Sequence, residues 1–238
     1  PGLLIVHGLY GSARNWGVIA KRLSEDRQVV AVDMRNHGLS PWYETHSYPD
    51  MADDLARVLD GLDGPFDLLG HSMGGKAAMV LALTRPELVN RLIVADIAPV
   101  AYSHSQGHFI DAMKAVNLDK VERRSDAAEQ LEGIVDDPSL ITFFTQSLDV
   151  KEKKWRLNLD VLARDMPQIL SFPEVTGQFD KPALFLSGAN SDYVQRAHRD
   201  GIKALFPKAK FAKIPGAGHW LHAEKPREFE AAVRAWIT

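Results

Sequence analysis

Six short aliphatic runs recur along the chain: Leu3 to Val6, Val29 to Val32, Phe66 to Leu69, Leu92 to Ala95, Ala183 to Leu186 and Phe211 to Ile214. Each is followed within two residues by a glycine or an acid, and then by a stretch with helical spacing. Strands buried on both faces read as continuous apolar runs, and strands alternating with helices make parallel sheets with crossover helices. The pattern predicts an α/β fold, a mostly parallel sheet flanked by helices. Apolar residues three and four apart predict helices over Trp16 to Leu23, Met51 to Leu59, Ala77 to Leu83, Ile202 to Phe206 and Phe229 to Trp236. With 238 residues, 45% of them hydrophobic, the chain can bury one large core.

The alternation lapses between Ala101 and Val175, where no clear strand is read. Helical stretches at Ala127 to Ile134 and Leu140 to Ser147 are separated by Asp136-Asp137-Pro138, and Pro167 interrupts further on. A helical insertion is expected there, which divides the chain into a core of residues 1–100 and 176–238 and an inserted cap of residues 101–175. Its aromatics, Phe109, Phe143, Phe144, Trp155 and Phe172, either fill the space between the inserted helices or face a cleft; as large apolar groups they favour the interior.

Charge and cysteine usage exclude several function classes. Lys and Arg number 28 against 31 Asp and Glu, a net charge of −3 with no basic stripe, so nucleic acid is not expected as a partner. The absence of cysteine removes disulfides, thiolate metal sites and a cysteine nucleophile, and no metal is expected. No apolar run approaches the ~20 residues of a membrane span. The chain opens on an apolar strand with neither Met nor leader, as expected where upstream residues have been removed. A cytoplasmic protein is the plain expectation.

The chemistry is concentrated at Gly70-His71-Ser72-Met73-Gly74, a G-x-S-x-G pattern between a predicted strand and an alanine-rich predicted helix. That context holds a serine at a strained turn with its oxygen exposed, and glycines are needed where helix and strand approach. The bland alternative is a glycine-rich turn with an idle serine. A serine hydroxyl needs a positioned base. His219 is the candidate, in a glycine loop after the last strand; His71 flanks the serine, His222 is read as starting the last helix, and His104 and His108 lie in the insertion. Two backbone donors are expected to hold a developing oxyanion: the amide of Met73, next after the serine, and that of Leu9 in His7-Gly8-Leu9-Tyr10-Gly11-Ser12.

HGLYGS, AVDMRNHGLS, GHSMGGK, VADIAPV, SGANSDYV and GAGHWLHAEKP together resemble the α/β-hydrolase superfamily, and within it the small YbfF-like esterase branch that includes mitochondrial relatives. The resemblance spans the chain from Pro1. It implies a cofactor-free serine hydrolase of carboxylic esters or thioesters under a small helical cap. One departure is visible: the superfamily sheet usually begins with two further strands, which this chain lacks.

A second departure concerns the acid that orients the histidine. Superfamily members commonly carry it three residues beyond the glycine closing the strand at Ala183 to Leu186, a position held here by Ser191. Asp192 is adjacent, but one step along a turn aims a side chain elsewhere. Asp96, at the end of the strand after the serine's own, is the preferred acid and Asp192 its rival; carboxyl edges of parallel sheets collect ligand-facing groups. For substrate contacts the candidates are Trp220, Phe109, Phe143, Phe144 and Asn36, although an internally bonded turn is the competing reading of Asn36-His37. Asn190 is a candidate brace for the loop carrying Ser191. Lys76, in the helix after the serine, is read as a surface or cap contact, and no arginine there grips an acidic substrate. Two other functions compete: a lyase or carbon–carbon hydrolase on the same fold, and a non-catalytic receptor for a small ligand.

Overall fold

A computed structural model describes residues 1–104 and 106–238. The main sheet has six parallel strands: β1 (Gly2–Val6), β2 (Val29–Val32), β3 (Phe66–His71), β4 (Val89–Ala95), β7 (Ala183–Gly188) and β8 (Ala209–Ile214), in the order β2-β1-β3-β4-β7-β8. Between β4 and β7 lie β5 (Leu148–Asp149) and β6 (Lys154–Trp155), which pair antiparallel. The helices are α1 (Gly17–Leu23), α2 (Tyr48–Asp60), α3 (Met73–Thr84), α4 (Gly107–Ala115), α5 (Arg124–Glu132), α6 (Pro138–Thr145), α7 (Leu159–Arg164), α8 (Met166–Leu170), α9 (Arg199–Leu205), α10 (Leu221–Glu224) and α11 (Pro226–Ile237).

Strand alternation sorts the core into two layers. Leu3 and Ile5 of β1, with Leu69, Ile93, Leu184 and Leu186, pack against Ile19 and Leu23 of α1 and Phe229, Val233 and Ile237 of α11. Leu4 and Val6, with Leu68, Leu92, Val94 and Phe185, pack on the other face against α2, α3 and α9. The four-residue spacing of Phe229, Val233 and Ile237 keeps one stripe of α11 on the sheet. α3 has no exposed stripe, because it lies between the sheet and its neighbours and is buried from Met73 to Leu83.

The predicted strands all form, and the boundaries move for local reasons. α2 begins at Tyr48 rather than Met51, because Ser47 caps it by accepting the Asp50 amide and Pro49 sits in its first turn. α6 likewise starts early, at Pro138, behind the cap Asp137. The β5–β6 hairpin corrects the strand-free reading of the insertion. Two residues per strand are too few to show alternation.

The inserted segment lies over the carboxyl ends of the strands. Ser147 Oγ donates to Tyr10 O, Gly38 N to Arg156 O, Tyr48 Oη to Ile169 O, and Lys76 Nζ to the carbonyls of Leu170 and Ser171. It is therefore tied to the loops after β1 and β2 and to α2 and α3. Trp155 and Phe144 are buried within it, whereas Phe109, Phe143 and Phe172 are half-buried. No helix among the described residues is long and apolar enough to cross a membrane.

Candidate active site

Ser72 follows β3 directly and carries φ of 53°, in the left-handed region that a residue with a Cβ seldom occupies. Surrounding structure holds it there. Its amide donates to Ala95 O at 3.1 Å, and its carbonyl accepts the Lys76 amide at 3.1 Å in the first turn of α3. The strained turn forms only because its neighbours lack side chains. A Cβ on Gly74 would collide with the carbonyls of Val6 and His7, and one on Gly70 with the Gly74 carbonyl. The serine is thereby pushed out of the sheet edge at the start of a helix whose first amides have no intrahelical acceptors.

His219 arrives from the loop after β8. Its Nε2 lies 3.1 Å from Ser72 Oγ and its Nδ1 lies 2.7 Å from Asp96 Oδ2. Its carbonyl accepts from His71 Nε2 at 2.8 Å, and Tyr193 stacks on its ring with centroids 3.9 Å apart and planes 17° from parallel. Two rigid contacts thus fix backbone and ring. Because Nδ1 faces a carboxylate it carries the proton, which leaves Nε2 as the acceptor facing the serine.

Asp96 is fully buried, a placement tolerated only for a satisfied carboxylate. Oδ2 accepts from His219 Nδ1 and from Ser191 Oγ at 2.5 Å, and Oδ1 accepts from the Gly188 amide at 3.1 Å. The Asp96 amide donates to Leu186 O at 2.8 Å, and φ of 52° turns the side chain out of β4 toward β7. Asp192 stands apart: it is exposed, and its carbonyl takes the Gln195 side chain. Ser191, the residue expected from the sequence to fill the common acid position, donates a hydrogen bond to Asp96. The vacancy is readable in the sequence, but this role for its occupant is not. Asn190 donates its amide to Ala217 O at 2.9 Å, linking the loop after β7 to that before His219.

The loop after β1 passes close to the serine, since a Cβ on Gly8 would stand 3.2 Å from Ser72 Cβ. A chain of buried histidines shapes this loop, and sequence reasoning missed it. His7 donates through Nδ1 to Gly8 O and accepts the Met34 amide at Nε2; His37 donates through Nδ1 to Arg35 O and accepts the Tyr10 amide at Nε2. His46 accepts from Asn36 Nδ2 at Nδ1 and approaches Met73 Sδ at 3.3 Å through Nε2. Burial pushes His7 down to about 4, and His37 and His46 to about 3, so all are neutral near pH 7. The sequence signal was only that three histidines lie in or beside the loops after β1 and β2.

One cavity joins these parts. Ser72, Met73, His219, Leu9, Tyr10 and Trp220 line it on the core side; Phe109, Leu140, Phe143 and Phe144 line it from the insertion. Leu9 and Met73 thus lie beside Ser72, and Trp220 and the three phenylalanines face the same space. Asn36 does not. Buried in the turn after β2, it accepts the Tyr43 amide and Asn158 Nδ2 at Oδ1 and donates to Thr45 O. Every polar atom of its amide is used internally, which corrects its assignment as a substrate contact. His222 lies in α10, not in α11, stacked on Trp16 with centroids 4.1 Å apart. Of the two readings of Lys76, surface or cap contact, the first fails, since it is 1% exposed and lines the cavity, whereas its bonds to the Leu170 and Ser171 carbonyls are contacts with the insertion.

Known proteins share this architecture. The alpha/beta hydrolase family model matches residues 3–232. The chain is 43% identical over 248 residues to the mouse (Mus musculus) protein named sn-1-specific diacylglycerol lipase ABHD11, covering 100% of this chain and 81% of that one. It is 40% identical over 238 residues to Esterase YbfF of Escherichia coli strain K12, covering 99% and 92%. Among solved structures, one titled Marine microorganism esterase superposes with a TM-score of 0.94 at 37% identity, covering 99% of this chain and 94% of that one. Sequence match, sheet order and the serine turn agree, and the chain belongs to the alpha/beta hydrolase family.

Proposed function

We propose that the chain hydrolyses carboxylic esters through an acyl-enzyme on Ser72, with Ser72, His219 and Asp96 as its catalytic triad. The observation that carries the reading is the continuous relay from Ser72 Oγ through both ring nitrogens of His219 to Asp96 Oδ2, at 3.1 and 2.7 Å. His219 Nε2 takes the hydroxyl proton as Ser72 Oγ bonds to the acyl carbon. Asp96 holds the tautomer and balances the imidazolium. The oxyanion is met by the amides of Leu9 and Met73, each worth ~3 kcal/mol by the cost of removing such a donor elsewhere. His219 then gives its proton to the leaving oxygen, and a water deprotonated by the same nitrogen releases the acid and restores Ser72. These steps use side chains and amides only, so the reading requires no cofactor.

Thioesters fall within the same chemistry, since a thiolate leaves more readily than an alkoxide. We place the activity in the cytoplasm on small acyl substrates, the net charge of −3 offering nucleic acid no attraction. The family names of the relatives favour ester hydrolysis over lyase chemistry or a silent receptor.

An activated phosphonate and a series of p-nitrophenyl esters test this. Labelling at Ser72 with ester turnover is expected, and Ser72→Ala loses both. Asp96→Asn lowers kcat by roughly 10⁴-fold, the scale of that change in a known triad, with the fold intact by circular dichroism. Asp192→Asn leaves kcat within about twofold, as a surface change should. Reversed results for the two aspartates would remove Asp96 from the triad.

A further inference from the structure

Lys76 is a buried cation that the proposed ester hydrolysis does not use. It lies one helical turn beyond Ser72 on α3, is 1% exposed, and lines the cavity that holds Ser72. An ammonium has three N–H donors. Two go to the carbonyls of Leu170 at 3.1 Å and Ser171 at 2.7 Å. What remains are the ring faces of Tyr102 and Tyr48, with Nζ 4.8 and 5.8 Å from their centroids. Both hydroxyls are engaged elsewhere: Tyr48 Oη donates to Ile169 O, and Tyr102 Oη donates to Tyr193 O while accepting the Ala98 amide.

No carboxylate among the described residues forms an ion pair with Lys76. Burial is the cause that lowers its pKa to about 7. A buried charge is costly unless paired, and this one has carbonyls and ring faces but no counter-ion. Apolar and aromatic side chains line the rest of the cavity together with five histidines, Asn15, Gln106 and Ser72, and Lys76 is its one lysine or arginine among the described lining residues. A pocket of mainly apolar and aromatic side chains with a few placed polar groups is the usual composition of a ligand site, and a charge among them orients a ligand by its charged end.

We propose that Lys76 anchors a carboxylate carried by the substrate, making an ester of an acid with a second, free carboxylate a preferred substrate class. The inference rests on the ester-hydrolase reading and deepens it. An incoming carboxylate supplies the counter-ion missing from the chain, and a charge-assisted hydrogen bond in a desolvated site is stronger than a neutral one. Lys76 sits on the helix that begins at the nucleophile, so the anchored end and the reacting carbonyl are held to one rigid element. Precise spacing between them is then expected to matter.

Monoethyl esters of succinic, glutaric and adipic acids are compared with ethyl esters of monocarboxylic acids of matching length, under the same conditions. Butyrylglycolic acid, compared with ethyl butyrate, puts the carboxylate on the leaving side instead. Expected is a kcat/KM higher by roughly ten- to hundredfold for one chain length or for the leaving-side acid, the range of a hydrogen bond to a charged group. The arm showing the preference assigns the carboxylate to the acyl or the alcohol portion. Lys76→Met collapses that ratio toward one, and Lys76→Arg retains part of it.

The wild-type ratio also falls as pH rises through the discharge of the ammonium, and any pH dependence common to both esters cancels in the ratio. This second readout serves if Lys76→Met does not fold, and Tyr48 and Tyr102 are the titratable side chains facing Nζ. Neutral esters turned over with no carboxylate preference in either arm would overturn the proposal, as would a preference unaffected by Lys76→Met or by pH. Either result leaves the ester-hydrolase reading standing. Failure of every ester, with no phosphonate label at Ser72, would instead remove the reading on which the proposal rests.

Discussion

At the scale of single residues, the proposed triad acid Asp96 and the residue Ser191 meet in one hydrogen bond. The position expected from the sequence for the acid is occupied by Ser191, whose hydroxyl donates to the same Asp96 oxygen that accepts the hydrogen bond from His219 Nδ1. The two positions therefore converge on one point in space from different strands. An acid returned to position 191 should reach the imidazole that Asp96 now serves. Asp96→Asn combined with Ser191→Asp is expected to regain at least tenfold of the kcat lost by Asp96→Asn alone, measured on p-nitrophenyl butyrate. A double variant as inactive as the single would show that the loop after β7 no longer points its side chain at His219. Ser191→Ala alone should lower kcat by about tenfold, because one of three donors to a buried carboxylate is lost and the orientation of the histidine loosens. Sequence position singled out Asp96 and the empty slot, because both are tied to strand ends that aliphatic runs mark. The contact between them was not legible, since it depends on how far the loop after β7 folds back over β4.

At the scale of elements, four adjacent strands share one device. The loops after β2, β1, β3 and β4 each contain a non-glycine residue with positive φ: Asn36 at 63°, Tyr10 at 65°, Ser72 at 53° and Asp96 at 52°. Each such residue costs of order 1 kcal/mol or more and persists where surrounding contacts over-determine it. Here they turn the chain sharply at the carboxyl edge of the sheet. The strands were legible because central parallel strands are apolar on both faces. The turns were not, because nothing in the identity of Tyr10 or Asp96 announces a left-handed backbone. Glycine does announce close approach, and Gly74 is where the elbow meets β1. Gly74→Ala forces its Cβ into the Val6 and His7 carbonyls, which are backbone and cannot rotate away. A loss of roughly 2 to 4 kcal/mol is expected, the range for severe overpacking, read as a lower urea midpoint with m unchanged. An unshifted midpoint would mean that α3 can move off β1 freely, contrary to the tight elbow.

At the scale of the whole molecule, buried neutral histidines link activity to acid stability. His7, His37 and His46 bind the loops after β1 and β2 into one unit beneath the insertion, and His222, also near 3, packs on Trp16 under α11. In the unfolded chain each titrates near the ordinary 6.5; in the folded chain burial holds each at about 3 or 4. Above 6.5 both states are neutral at these sites, and the histidines add no pH dependence. Below it the unfolded state binds protons first, so stability falls as pH drops from 6.5 toward 3. One unit below 6.5 each histidine contributes about 1.4 kcal/mol of destabilisation, and four together rival the margin of a typical domain. The urea midpoint is therefore expected to stay nearly level from pH 8 to 7 and to drop steeply between pH 6 and 4. A level midpoint through that range would mean that the histidines are solvated or already charged in the fold. Because His37 holds the Tyr10 amide beside Leu9, acid should disorder the loop carrying this proposed oxyanion donor together with the fold. Loss of turnover at pH 5 should then include a slow part that, on return to pH 7.5, recovers together with refolding measured by tryptophan fluorescence.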